Sequence, residues 1–251
     1  MKEASALKEL QLLLGKLNIA MRASGHILQL EHAHKNIACH LIREQVHAPS
    51  TSTLNFPYDV FIRRADLLAA AIQSQFQLNQ RVFARTCEVR KLTKPIAAEF
   101  LNAHHVMGAV GSVSQYGLFK NEDLLAVATF SNGRKMRRLP EHLRSFELIR
   151  FCNKSGVTVS GGLTKLLQHF IREKNPGDIM TYVDAGYSSG EAYLKAGFEK
   201  KEKSEGVDYL VDTQSFERFE FDLEKAKNVK RYYIYQQQGN LKLVYNVIAN
   251  N

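Results

Sequence analysis

Between Ser155 and Phe198 the sequence runs SGVTVSGGLTKLLQHFIREKNPGDIMTYVDAGYSSGEAYLKAGF, and its residue types suit transfer of a group from a nucleotide-like carrier. Gly161 and Gly162 let the backbone approach a ligand. The helix they open would aim free N–H groups and a partial positive charge at a phosphate. Tyr193 follows on the next helix, where its phenol can serve chemistry or pack its ring in the core. Asp184 ends an apolar strand, at the edge where ligands of α/β sheets gather, and Ser188 comes shortly after; both equally suit capping of the next turn or helix. His105 ends an earlier helix, so its imidazole either answers the helix dipole or faces a substrate. Glu147 is a strand glutamate, a base or a solvated side chain. Cys152, in an apolar strand, reads as inert core.

The elements that must hold these residues follow from periodicity. Residues 3–18 place Leu7, Leu10, Leu14 and Leu17 on one helical stripe. His26–Leu30 and Asn36–Ile42 read as short strands, with helix the alternative, and His47–Asn55 as a loop of clustered Pro, Ser, Thr and Asn. Ala65–Gln77 is expected to be a helix with Leu68, Ile72 and Phe76 on one face. Cys87–Leu92 reads as a strand, and Thr93 as the N-cap of a helix with Pro95 in its first turn, running to about His104. Tyr116–Lys120 and Leu124–Phe130 form a hairpin pattern about Asn121-Glu122-Asp123. Phe146–Cys152 is the next strand. Gly161–Arg172 is a helix with Leu163, Leu166, Leu167 and Phe170 on its core side, stopped by Asn175-Pro176-Gly177. Ile179–Val183 is a strand, Ser189–Ala196 a helix ended by Gly197, and Tyr232–Val247 a hairpin turning near Gly239-Asn240. The order predicts a mixed α/β sheet with helices on both faces.

This order and these motifs resemble the GNAT acyltransferase superfamily over roughly residues 83–248. The family's cofactor turn, Gln/Arg-x-x-Gly-x-Gly/Ala, is matched by Thr158-Val159-Ser160-Gly161-Gly162-Leu163, with Thr158 in place of Gln or Arg and Leu163 in place of a small residue. The resemblance implies that the backbone amides of Ser160, Gly161, Gly162, Leu163 and Thr164 bind the pyrophosphate of acetyl-CoA or another acyl-CoA. It also implies that Val157 and Val159 pair with the pantetheine. Tyr193-Leu194-Lys195-Ala196-Gly197-Phe198 is similar to the Tyr-x-x-x-Gly-Phe signature closing the family's last core helix, whose tyrosine often protonates the departing thiolate. A phenol of pKa about 10 suits that task. In the same family, strand positions such as Glu147 sometimes supply a general base.

His105 to Ser112, Leu148 to Cys152, and Asp184-x-x-Tyr187-Ser188-x-Gly190-x-x-Tyr193 look like a phage and mobile-element branch, which includes Mom-type DNA-modification transferases and GNAT-like domains attached to phage endonucleases. Asp59 and residues 65–87 are similar to the segment that joins nuclease and transferase there. The resemblance implies a nucleobase or other nucleic-acid-linked amine as acceptor. Ala185-Gly186 stands where that branch carries basic residues.

The formal net charge of +9 permits an acidic partner. Arg134, Lys135, Arg137 and Arg138 form a run that could contact phosphates of DNA or simply be a solvated loop. The nine histidines show no metal-ligand spacing, and Asp59 alone holds no metal. Three scattered cysteines fit a reducing cytoplasm, and no run of apolar residues is long enough for a membrane span. The expectation is a GNAT-like α/β (α+β) protein: a mostly antiparallel central sheet flanked by helices over residues 83–251, with an N-terminal α/β extension over 1–82. It would be an acyl-CoA-dependent N-acyltransferase, or alternatively a non-catalytic nucleic-acid-binding module on that fold.

Overall fold

A computed structural model describes residues 2–43, 53–186 and 188–247. In chain order the elements are α1 (Lys2–Gly15), β1 (Ala20–Ser24), β2 (Ile27–His32), β3 (Lys35–Ile42), β4 (Thr53–Pro57), α2 (Tyr58–Arg63), α3 (Ala65–Gln75), β5 (Gln80–Phe83), β6 (Glu88–Lys91), α4 (Lys94–His104), β7 (Ser114–Lys120), β8 (Asp123–Phe130), β9 (Ser145–Asn153), β10 (Val157–Ser160), α5 (Gly162–Lys174), β11 (Asp178–Asp184), α6 (Glu191–Lys195), β12 (Glu199–Lys203), β13 (Asp208–Asp212), β14 (Arg218–Glu220), α7 (Leu223–Ala226), β15 (Tyr232–Gln236) and β16 (Asn240–Asn246). They fall into two compact units. The first holds residues 1–78, 184–188 and 204–240; the second holds 79–183, 189–203 and 241–251.

The first unit contains a four-stranded sheet, β1-β2-β3-β4, and a three-stranded sheet, β14-β13-β15. Helix α1 buries Ala6, Leu10 and Leu14 and ends at Gly15; of the expected stripe, Leu7 is only half-buried and Leu17 falls in the turn beyond the helix. Most of the expected loop 47–55 lies outside the described residues, but Thr53–Asn55 belong to β4, which pairs parallel with β3. Asp59 is fully buried and held by Arg218 through two bonds of 2.8 Å, so its carboxylate is a structural ion-pair partner. Arg218 in turn lies 4.0 Å from the centre of the Tyr235 ring.

The second unit is built on a seven-stranded sheet of order β12-β16-β11-β9-β8-β7-β6. Strands β6–β7, β7–β8, β8–β9 and β12–β16 run antiparallel, whereas β11 and β9 are parallel. Helix α4 covers one face, with Ala97, Phe100 and Leu101 packed with Val127 and Leu92. Helix α5 covers the other, where Phe170 stacks on Phe130 at 3.8 Å and meets the edge of Phe146 at 5.1 Å. The expected mixed sheet with helices on both faces is therefore present.

One sequence expectation fails outright. Residues 232–247 are not a hairpin: β15 pairs with β13 in the three-stranded sheet, while β16 pairs with β12 in the seven-stranded one. The Gln-rich link and Gly239 mimic a turn, but longer-range partners take both strands. Helix α6 is also shorter than expected, because Gly190 adopts a left-handed φ of 75° immediately before it.

Candidate active site

The parallel pair β9/β11 is in register for only three residues, Ser145–Glu147 against Asp178–Met180. Its start is fixed by Asp178, 3% exposed, which accepts from the Ser145 hydroxyl at 2.5 Å and from Arg138 at 2.6 Å. Beyond it the Thr181 hydroxyl donates to the Leu148 carbonyl at 2.9 Å, and the ladder goes no further. The strands part toward their C-terminal ends, where open α/β sheets take their ligands.

Within β9 the register against β8 slips by one residue. Phe130 faces Leu148, but Thr129 faces Arg150, leaving Ile149 as a bulge. A bulge re-aims the side chains that follow it. Phe146 and Leu148 belong to the α5 face with Phe130, whereas Arg150 and Cys152, opposite Thr129 and Val127, turn to the α4 face. Glu147, between Phe146 and Leu148, shares the α4 face with Arg150.

Tyr193 enters this opening from α6. The turn after it is fixed by Gly197 (φ 97°), by the buried Phe198 whose ring meets Tyr193 at 5.7 Å, and by Tyr245 beyond. Burial of the hydroxyl, reinforced by Cys152, pushes the Tyr193 pKa up to about 12, against the opposing pull of Arg150 and Thr181. The phenol is thus fully protonated at neutral pH, and its raised pKa makes it a weaker acid than a free tyrosine. Burial likewise lifts Cys152 to about 12, so it is an inert thiol, as its apolar strand implied.

His105 follows α4 as its C-cap. Its Nδ1 accepts from the Met107 N–H at 3.0 Å. Burial, then the Arg150 charge, lowers its pKa to about 4, so the ring is neutral and carries its proton on Nε2. It is a donor here and a poor base.

Asp184 and Ser188 belong to the first unit, apart from Glu147, His105 and Tyr193 of the second. The Asp184 carboxylate accepts from the Gly186 N–H at 2.7 Å and from Gln237 at 3.2 Å, and the Ser188 N–H donates to the Asp184 carbonyl at 3.1 Å. The Gly186 and Ser188 bonds cap the turn, the structural alternative that the sequence left open, and the Gln237 amide occupies the second carboxylate oxygen. Tyr187 lies outside the described residues.

The glycine turn differs from expectation in what precedes it. The central strand β9 ends at Asn153; a turn closed by the Val157 N–H on the Lys154 carbonyl then leads into β10, which pairs with β5 rather than with the main sheet. The Gln80 N–H bonds the Gly156 carbonyl at 2.9 Å, which sets the phase of that ladder. By alternation Thr158 and Ser160 face β5 and Val157 and Val159 face away. The Val157 N–H is occupied by Lys154, so of the two valines expected to pair with pantetheine Val159 is the better placed. Thr158 Oγ1 is engaged by Asn79 at 3.1 Å. Gly161 has φ 77° and no side-chain cap, and the first helical bond runs from Lys165 to Gly161. The N–H groups of Gly162, Leu163 and Thr164 therefore have no helical acceptor. Gly162 serves packing: a Cβ there would meet Val159 at 3.1 Å and Leu118 at 3.2 Å. Leu163 is buried and Thr164 exposed.

Arg134 bridges to Ser145 through its backbone and its side chain is exposed, as are those of Lys135 and Arg137. Arg138 is different: its guanidinium is committed to Asp178. Among the described residues no group of His, Cys, Asp or Glu could hold a metal ion, and no helix is long and apolar enough to cross a membrane.

Sequence reasoning gives Arg150 no role and passes over Thr181, Thr129 and Gln115. The available signal was a charge inside the apolar run Leu148-Ile149-Arg150-Phe151-Cys152, because unpaired charges are rare in interiors.

The sequence matches no protein-family model and no curated protein. Solved structures similar to it include a GNAT family acetyltransferase from Elizabethkingia anophelis with acetyl-CoA bound (11% identity, 64% of this chain and 99% of that one, TM-score 0.37). Others are the ribosomal-protein-S18-alanine N-acetyltransferase of Escherichia coli (12%, 64% and 94%, TM-score 0.42) and a Bacillus subtilis acetyltransferase in complex with CoA (14%, 64% and 99%, TM-score 0.37).

Proposed function

We propose that the second unit, residues 79–183, 189–203 and 241–251, forms an acyl-CoA-dependent N-acyltransferase domain and that the first unit, built mainly on the N-terminal extension, is accessory. The observation that carries this is Tyr193: a protonated, half-buried phenol placed beside Arg150, Cys152 and Thr181 where β9 and β11 part. The uncapped first turn of α5 supports it as the place for the CoA pyrophosphate, and the edge of Val159 as the place for pantetheine. In the reaction, the acceptor amine attacks the thioester carbonyl carbon, a C–N bond forms and the C–S bond breaks. The amine proton passes to a base, and the thiolate takes a proton from Tyr193. Glu147 is the better base candidate, since its carboxylate has no partner among the described residues while both oxygens of Asp184 are bonded.

Titration with acetyl-CoA tests this reading. Thr164→Glu is the informative variant, because an acidic residue in the first turn of a helix favours folding and repels a pyrophosphate. Wild-type binding that Thr164→Glu weakens without lowering the melting temperature supports the proposal. Absence of wild-type binding at millimolar acetyl-CoA sinks it.

We further propose a nucleic-acid-linked acceptor, supported by the resemblance to the Mom-like branch and by the exposed Arg134, Lys135 and Arg137. Replacing one phosphate-binding side chain by alanine should lower the salt dependence of DNA binding by about one unit of slope. DNA binding indifferent to the Arg134, Lys135 and Arg137 alanine variants would remove this refinement.

A further inference from the structure

The α4 face of the main sheet changes character at the end of its helix. Under α4 it is apolar, but the next row across the strands is Gln115 (β7), Thr129 (β8) and Arg150 (β9). The segment 105–113, which follows α4, lies against this row. Arg150 Nε donates to the Gly108 carbonyl at 3.2 Å, and Gln115 Nε2 donates to the Ser112 carbonyl and hydroxyl at 3.1 and 2.9 Å.

Arg150 uses Nη1 on the Ile149 carbonyl at 3.0 Å, and no protein acceptor holds Nη2 among the described residues. No carboxylate forms an ion pair with it there. His105 beside it offers a proton from Nε2 and cannot accept at Nδ1, which the Met107 N–H occupies. Thr129, 1% exposed, has a hydroxyl with no partner in the same row. A half-buried guanidinium without a counter-ion, flanked by further donors, is an incomplete arrangement that an anionic oxygen completes.

We propose that Arg150, with His105 beside it, binds an oxyanion carried by the acceptor, so that the amine acylated at this site bears a carboxylate or a phosphate. That the anion belongs to the acceptor rests on the acyltransferase reading, but the anion subsite itself does not. Glu147 and Arg150 on one face then address the two ends of such a molecule, the amine and the anion.

The test uses the full chain without CoA and two matched pairs of ligands followed by ligand-observed NMR: glycine against glycinamide, and deoxyadenosine monophosphate against deoxyadenosine. The expected result is that in at least one pair the ligand carrying the carboxylate or phosphate binds about tenfold more tightly than the partner lacking it, as a charged hydrogen bond implies. Arg150→Gln should bring that ratio close to one. The pair that discriminates identifies the source, a small carboxylated amine or a nucleotide. Equal binding or no binding in both pairs overturns the proposal, as does a preference that survives Arg150→Gln. If that variant does not fold, the wild-type ratios decide alone. Failure of acetyl-CoA to bind removes the acyltransferase reading and leaves this result standing.

Discussion

Thr129 faces Arg150 across the β8–β9 ladder even though its neighbour Phe130 faces Leu148, one residue short of the regular partner. The extra residue, Ile149, moves Arg150 from the face packed on α5 to the face beside His105 and Tyr193. Without that slip the period-two alternation of the strand would send the guanidinium into the aromatic cluster of Phe130, Phe146 and Phe170.

Tyr193→Phe is expected to lower kcat about 100-fold, the low end of what a positioned general acid contributes. The Kd for acetyl-CoA should stay within about twofold, since the ring and its contact with Phe198 are kept. Steady-state kinetics with free-thiol detection reads both; an unchanged kcat removes Tyr193 from the chemistry.

The pH profile follows from the same group. A Tyr193 held at about 12 stays protonated well above the ordinary tyrosine value, so loss of rate below pH 10 must come from another group. In the Tyr193→Phe variant any fall in rate between neutrality and pH 10 should therefore be the same as in the wild type.

His105 gives a stability signature on the acid side. Its folded pKa of about 4 lies below the ordinary 6.5, so the unfolded chain binds the proton first. The stabilisation tied to the neutral ring is whole above about pH 6.5 and is lost as pH falls toward 4. His105→Gln should flatten that part of the curve of melting temperature against pH; a slope identical to wild type would show that His105 does not contribute.

Asp178→Ala should destabilise the chain by about 3 kcal/mol, because it strands the Ser145 hydroxyl and removes the buried carboxylate that starts the β9/β11 pair. Arg138→Ala should cost about 1 kcal/mol and leave DNA binding unchanged, because its guanidinium faces Asp178 from a half-exposed position. Denaturant unfolding separates the two, and a large effect on DNA affinity from Arg138→Ala would contradict the assignment.

Gly162→Ala should destabilise by about 1 kcal/mol through its contacts with Val159 and Leu118, whatever its effect on CoA. Substitutions at Gly162 therefore confuse packing with binding, which is why Thr164 is the cleaner probe. An unchanged melting temperature for Gly162→Ala would show that the sheet yields to the added methyl.

The sequence by itself determined the elements whose signals are local. Leu163, Leu166, Leu167 and Phe170 fix the buried face of α5, Asn175 ends that helix with a left-handed φ of 43°, and Gly197 ends α6. Those signals recur within a few residues, so periodicity and turn chemistry expose them, and the strand–helix order they give was enough to place the tyrosine and the glycine turn. Only the tertiary structure decided what depends on distant partners. Strand β10 joins β5, from the far side of the β6–β9 segment, and residues 204–240 cluster with the first unit. A single bulged residue sets the direction of Arg150, and Asp184 and Arg138 have carboxylate or backbone partners that no spacing announces. Strand pairing is non-local and a one-residue slip exchanges the faces, so the residue types for the chemistry are written in the chain, while their convergence is a property of the sheet.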